Sequence, residues 1–341
     1  MKISHKNKFL TGLCFAPMTM FTIFSVYFQE KANCMETRYR DNKTYTSNVK
    51  DETKISRNFI IDENGKLTNY VGYEPIVVIP DTVKVIGRYA FSGHNEIKSV
   101  IFPKELLKIE SYAFSGCMGI TKLDMPDSVL CMEDFAFSSC TSLKRVVLGP
   151  GIKKIEEMCF AFCDSLESII VDDDNPHFSS EDGILYDKLY ECIIRCPQKC
   201  MREISIKSGV KKIGKYAFYG CKSLHKISFN DELEEIGEAA FFDCDYLKSI
   251  DFKEGLKFIE RGAFLGCLRL DNISIPSTIE SIGDSAFYGC KSLKNIKILS
   301  TDLKLGNHVF KECSSDIVIT TFPGTPAVEF AENKHIMVNF L

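Results

Sequence analysis

The short motifs that carry catalysis are missing from this chain. Its six histidines, His5, His94, His177, His225, His308 and His335, form no H-E-x-x-H pair, and neither a G-x-S-x-G elbow nor a phosphate-binding glycine-rich loop occurs. The 15 cysteines include no C-x-x-C pair of the kind that clips zinc. The acidic run Asp172-Asp173-Asp174-Asn175 lacks the Gly and terminal Glu of a calcium loop, so it reads as solvated. A basic excess is also absent. Formal net charge is −4, and residues 1–34 hold four Lys against one Glu, leaving −7 for the remainder. Nothing here marks a nucleic-acid surface. These absences argue against an enzyme, a resident cofactor and a nucleic-acid partner.

What the chain has is a repeat. A small residue followed by Phe recurs at Phe91, Phe114, Phe137, Phe160, Phe218, Phe241, Phe264, Phe287 and Phe310, always 23 residues apart except for a 58-residue interval between Phe160 and Phe218. Three residues after the Phe stands Cys117, Cys140, Cys163, Cys221, Cys244, Cys267, Cys290 or Cys313; in the first unit His94 takes that slot. Each unit reads roughly apolar-x-x-Ile-x-Ile-Pro-x-x-Val-x-x-Ile-Gly-x-x-Ala-Phe-x-x-Cys. The Ile-x-Ile step has the period of a short strand with alternate side chains inward. Pro, lacking an N–H, ends that strand, and the Ile-Gly and Ala-Phe bends return the chain. One such turn cannot bury its apolar side alone, but stacked turns form a continuous core. The expected fold is a mostly β solenoid of short parallel strands with irregular or short helical returns.

Stacked Phe rings predict an internal column. Eight cysteines at a fixed stride fit a ladder of buried thiols, since free Cys behaves as a small hydrophobe. Adjacent turns also bring Cα atoms within disulfide range, and an exported, cysteine-rich protein usually carries bridges, so some bridging stays open. No metal is expected. The sharpest exception is Cys192-x-x-x-Cys196-x-x-x-Cys200, with His177 nearby in sequence; its spacing is looser than zinc clips use.

The units resemble the BspA-type leucine-rich repeats of bacterial surface antigens, whose consensus ends Ile-Gly-x-x-Ala-Phe-x-x-Cys. The resemblance covers residues 59–341. Phe59-Ile-Ile-Asp-Glu-Asn-Gly-Lys-Leu-Thr-Asn-Tyr70 is similar to the hairpin that opens such domains, with Asn64-Gly65 as the turn. Residues 172–203 resemble a family insertion: Asn175-Pro176, Ser180-Glu-Asp-Gly-Ile-Leu-Tyr186 and Cys196-Pro197 mark it, and it is expected to carry a hairpin off one edge. Gly324-Thr-Pro-Ala-Val-Glu-Phe-Ala331 is similar to a closing helix, followed by a strand at Ile336–Phe340. The expected divisions are 1–34 export segment, 35–58 polar linker, 59–75 N-terminal cap, 76–315 solenoid and 316–341 C-terminal cap.

Lys2, His5, Lys6 and Lys8 precede Phe9–Phe28, twenty residues without a formal charge. A basic start followed by an apolar run is the layout of an export signal, long enough here to span a bilayer despite Pro17. No clean small-x-small cleavage site follows, and Lys31-Ala-Asn-Cys34 lacks the apolar residue of a lipoprotein signal. Cleaved signal and uncleaved anchor both stand, and the anchor would face the repeats outward.

Alternation sends the residues flanking the inward Ile-x-Ile positions to solvent. In the first half these include Ile101, Asp124, Arg145, Val147 and Ile170; in the second half they are polar. A protein or glycan partner docking on the first half, helped by the insertion, is one account. Propensity alone, which favours β-branched residues in strands, is the other. The resemblance implies a secreted or cell-surface adhesin-like protein, since relatives include surface proteins that bind host matrix or other microbes. An envelope spacer without a ligand is the alternative, and an enzyme with a site in 172–203 is the remote one.

Overall fold

The computed structural model describes residues 57–341. The expected export segment and nearly all of the expected linker lie outside them. Asn58 falls inside, and it belongs to the cap rather than to a linker. Its carbonyl accepts from Val71 N at 2.9 Å and its side-chain amide donates to Glu74 Oε1 at 2.9 Å.

Three hydrogen-bond ladders run through the stack. The first joins the Ile-x-Ile strands in parallel at a 23-residue offset: Leu123 opposes Val146, Val146 opposes Ile169 and Ile227 opposes Ile250. The second joins two-residue strands at the Ile-Gly corner, with Ile86 opposite Ile109 and Ile236 opposite Ile259. The third needs no strand at all. Within each half, a Phe N–H donates to the carbonyl before the next Phe, from Phe91 to Ala113, Phe114 to Ala136 and Phe241 to Ala263, each at 2.7 Å. Neighbouring turns thus pair much of their backbone with one another, as burial demands.

The corner glycine is set by close approach. A Cβ on Gly237 would lie 2.8 Å from Ile213 O of the preceding turn, closer than a side chain tolerates. A different glycine serves the left-handed region two residues after Phe, as at Gly116 with φ +74°. There a residue without Cβ avoids a steric penalty, and the turns that hold Ser139, Phe162, Asp243 or Glu312 at that place adopt the same conformation.

The nine Phe rings lie inside the stack. Phe91, Phe114 and Phe137 stack at 4.6 and 5.1 Å between centroids, and Phe218, Phe241, Phe264 and Phe287 at 4.7, 5.0 and 5.1 Å. Both caps extend the column. Tyr70, from the antiparallel pair Phe59–Ile61 and Lys66–Tyr70, stands 5.0 Å from Phe91. At the far end Phe330, on the helix Pro326–Asn333, meets Phe310 edge-on at 6.0 Å. The strand Met337–Phe340 then pairs in parallel with Val318–Thr321. The apolar ends of the solenoid are thereby covered, as repeat stacks require.

The insertion differs from the hairpin expected off one edge. Strands Phe178–Glu181, Ile184–Asp187 and Cys192–Arg195 form an antiparallel meander, and the last of them pairs in parallel with Lys212–Ile213 of the next turn. It is a septum within the stack. Leu185, Phe178 and Ile194 pack on the first-half core, whereas Ile184, Tyr186, Ile193 and Cys196 pack on the second-half core. Period-two alternation of apolar residues on both faces leaves this meander no solvent side, so it is driven between the halves. Asn175 anchors its start: the buried amide donates to Gly149 O and Ile152 O at 3.1 and 3.0 Å, while Oδ1 accepts from His177 N and Phe178 N at 2.8 Å each.

Candidate functional site

On the solvent side of the first ladder, Ile101 is 53% exposed, as alternation requires. Asp124 and Arg145 are also exposed, with Lys122 pairing Asp124 at 2.8 Å. Val147 and Ile170 depart from expectation, for both are only half-buried rather than open. Ile170 lies on the strand Ser168–Val171 against which the meander packs, Ile169 N donating to Gly183 O at 2.9 Å and Val171 N to Ser180 Oγ at 2.9 Å. Two exposed residues were missed. Ile76 and Val78, 60% and 54% exposed, lie on the strand of the first repeat, which pairs Ile76 with Ser99 and Val78 with Ile101. The alternation in Ile76-Val77-Val78-Ile79, with Val77 and Ile79 buried, is the signal that places them outward. The resulting face runs Ile76, Val78, Ile101, with charged Lys122, Asp124 and Arg145 beyond.

The cysteine ladder has a partner that spacing did not reveal. Except at Cys221, the ladder Sγ donates to the Phe carbonyl 26 residues earlier, in the preceding turn: Cys117 to Phe91 O at 3.0 Å, Cys140 to Phe114 O at 3.3 Å, Cys244 to Phe218 O at 3.1 Å and Cys267 to Phe241 O at 3.3 Å. Burial pushes the Cys163 thiol up to about 12 and those of Cys244 and Cys267 well above the ordinary range. They are neutral donors at pH 7.

Of the three cysteines singled out in the insertion, Cys196 and Cys200 meet, and Cys192 does not join them. The third member is Cys221, a ladder residue: the Sγ atoms of Cys196, Cys200 and Cys221 all lie within 4.8 Å of one another. The cause is a substitution in the aromatic column. Cys196 N donates to Ala217 O at 2.7 Å, the bond that Phe218 N makes to Ala240 O one turn later. Cys196 thus stands where the column would place a Phe, and its smaller side chain leaves the sulfurs room to converge. Cys221, with Cys196 rather than a Phe behind it, divides its Sγ between Cys196 O at 3.8 Å and Pro197 O at 3.5 Å. Hydrogen bonds from Cys196 and Cys221 hold the Cys200 thiol below the usual range, whereas burial pushes Cys196 and Cys221 well above it. Cys200 is the one member that reaches solvent.

The same turn ties the two halves together. Gln198 Nε2 donates to Phe160 O at 3.0 Å, Arg195 donates to Tyr216 O at 2.8 Å, and Phe162 meets Tyr219 edge-on at 5.5 Å. His177 is exposed and far from a ligand role here, its backbone serving Asn175 instead. Asp172, Asp173 and Asp174 are all solvated. A second close group, Asp134, Glu156 and Glu157, sits beside Lys154, which pairs with Glu156. Among the described residues no helix is long and apolar enough to cross a membrane; Phe9–Phe28 lies outside them.

The stacked strands, internal Phe column and capped ends define a leucine-rich-repeat solenoid. Residues 74–181 and 196–316 match the BspA type leucine rich repeat region in six copies, and the chain belongs to this family. Among curated proteins none matches. Among solved structures the chain is similar to the pneumococcal vaccine antigen PcpA, at 22% identity and a TM-score of 0.63, over 83% of this chain and 82% of that one. It is also similar to a leucine rich cell surface protein from Faecalibacterium prausnitzii A2-165, at 23% identity and a TM-score of 0.56, over 80% and 94%. A leucine-rich repeat protein from Eubacterium ventriosum follows, at 19% identity and a TM-score of 0.53, over 76% and 72%. At these identities the likeness shows the fold.

Proposed function

We propose that the chain is a non-catalytic, surface-exposed binding scaffold of adhesin type, and that it engages a protein partner through the first-half strand face. The family supports the scaffold, since a rigid stack presents side chains at fixed register without closing a pocket. Surface display is supported by the basic start and apolar run at Phe9–Phe28, and by two similar structures being a vaccine antigen and a cell surface protein. The observation that carries the docking face is the contiguous exposure of Ile76, Val78 and Ile101, aliphatic side chains in one strand pair and its edge. Aliphatic anchors beside a charged rim suit a protein surface better than a sugar.

The test uses the full chain displayed on beads, presented with extracellular-matrix proteins and with intact microbial cells. Binding to a protein surface is expected. The pair Val78→Ser and Ile101→Ser should weaken it by about 10-fold or more, as loss of central anchors does, without altering protease resistance. Unchanged affinity refutes the face. Failure to bind either surface refutes the adhesin reading and favours a spacer, and binding abolished by deglycosylation of the target assigns a glycan ligand instead.

A further inference from the structure

The seam between the two half-solenoids holds three sulfurs that packing alone does not call for. Elsewhere in the column a Phe fills the position of Cys196, and elsewhere a ladder thiol donates to a Phe carbonyl at 3.0–3.3 Å; here Cys221 reaches the Cys196 carbonyl only at 3.8 Å and leans to Pro197 O at 3.5 Å. The sulfurs of Cys196, Cys200 and Cys221 converge within 4.8 Å, from two different turns. Three thiolates around one ion need sulfur separations of about 4 Å when each bond is about 2.3 Å. No histidine or carboxylate of the described residues belongs to this group.

We propose that Cys196, Cys200 and Cys221 form a binding site for a single soft, thiophilic metal ion of the monovalent copper class, held by three sulfurs. Zinc prefers four ligands in a closed site, and this site offers three from the protein. Soft thiolate ligands select monovalent copper, which accepts three-coordinate sulfur. Two members are fully buried and Cys200 opens to solvent, which gives the ion one way in. Binding is a coordination step without electron transfer: the ion enters as Cu(I), remains Cu(I), and the thiols release their protons to water as sulfur–metal bonds form. The ion would tie the insertion to the second half, since Cys196 and Cys200 come from the insertion and Cys221 from the first turn after it.

The experiment titrates the reduced full chain with Cu(I) under anaerobic conditions, against a chelator that buffers free copper. One ion per chain is expected, with X-ray absorption showing three sulfur neighbours. Cys200→Ser should weaken binding by about 10-fold or more, whereas Cys192→Ser and Cys313→Ser should leave it unchanged, because neither residue belongs to the cluster. Proteolysis of each variant reports its fold. Should Cys200→Ser unfold the chain, the sulfur count and stoichiometry of the wild type still decide. No ion retained against the chelator, two sulfur neighbours instead of three, or tight binding that Cys313→Ser abolishes would overturn the site. Stoichiometric zinc with nitrogen or oxygen in its shell would also overturn it.

Discussion

Phe241→Ala probes the aromatic column where it is best packed. The ring is fully buried, lies 4.7 Å from Phe218 and 5.0 Å from Phe264, and meets Phe229 edge-on at 6.1 Å. Burial of a phenyl ring contributes about 1.5–3 kcal/mol, and an aromatic pair adds about 0.5–1.5 kcal/mol. Truncation leaves a cavity that the flanking turns cannot close, because the Phe241-to-Ala263 and Phe218-to-Ala240 backbone bonds, both 2.7 Å, fix their spacing. The expected loss is about 3–5 kcal/mol. Phe310→Ala should cost less, since that ring has a single stacked neighbour, Phe287 at 5.6 Å, and is slightly exposed. Urea unfolding gives the magnitude, and hydrogen exchange gives the location. Because the septum separates two cores, protection should fall first in the turns between Ala217 and Ile275, while those from Ala90 to Phe137 hold. A shift below about 1 kcal/mol, or protection lost evenly along both halves, would refute an internal column organised by neighbours.

Two other perturbations address the polar interior. Burial, with Asp245 nearby, raises the Asp243 carboxyl from 3.8 to about 6. A folded value above the unfolded one means the native state favours the proton, so the charged group costs stability above about pH 6, and the cost fades as pH falls toward 4. Asp243→Asn should therefore raise the melting temperature at pH 7.5, by an amount equivalent to about 1–3 kcal/mol, with no gain at pH 4; equal gains at both values would count against the burial term. Asn175→Ala strips a buried donor from Gly149 O and Ile152 O and an acceptor from two backbone N–H groups. A loss of at least about 2 kcal/mol follows from leaving such groups unsatisfied, with cleavage by protease appearing first between residues 172 and 180; wild-type resistance there would show that the clip is dispensable.

How far the sequence carries depends on where a partner sits. Phe, Ile and Gly recur with a stride of 23 because each meets its own copy in the next turn, so a one-dimensional pattern encodes a contact between identical residues. The cysteine ladder is legible as buried for the same reason, but its acceptor is not: the Phe carbonyl 26 residues back is backbone, which leaves no side-chain signature. The three-sulfur group was half legible. Cys192-x-x-x-Cys196-x-x-x-Cys200 suggested a clip by proximity along the chain, yet Cys192 begins a strand whose backbone Asp187 holds at 2.9 Å from Cys192 N, while Cys221 arrives from the following turn. A local motif cannot announce a ligand supplied across a turn. Ile76 and Val78 were legible but missed: they stand 23 residues before Ser99 and Ile101, in the same stride, and Val77-x-Ile79-Pro80 matches the strand end of the later units.

The insertion shows why a solenoid tolerates interruption. Both strand ladders break at the meander: the corner sheet that ends with Lys154–Ile155 does not continue directly into Lys212–Ile213, and the strand Ser168–Val171 has no parallel partner in Glu203–Ser205. The core survives because apolar side chains leave the meander on both faces, so each half closes on the septum as it would on another turn. What the septum cannot reproduce is the aromatic column, because a strand that serves two cores has no room for a ring shared by both. Cys196 is the compromise at that point, small enough for the crossing and buried enough to keep the column's backbone bond to Ala217. The three-sulfur cluster is thus a consequence of how the chain passes from one half to the other, and an ion seated there would hold the insertion to the second half at the one level where stacked rings do not.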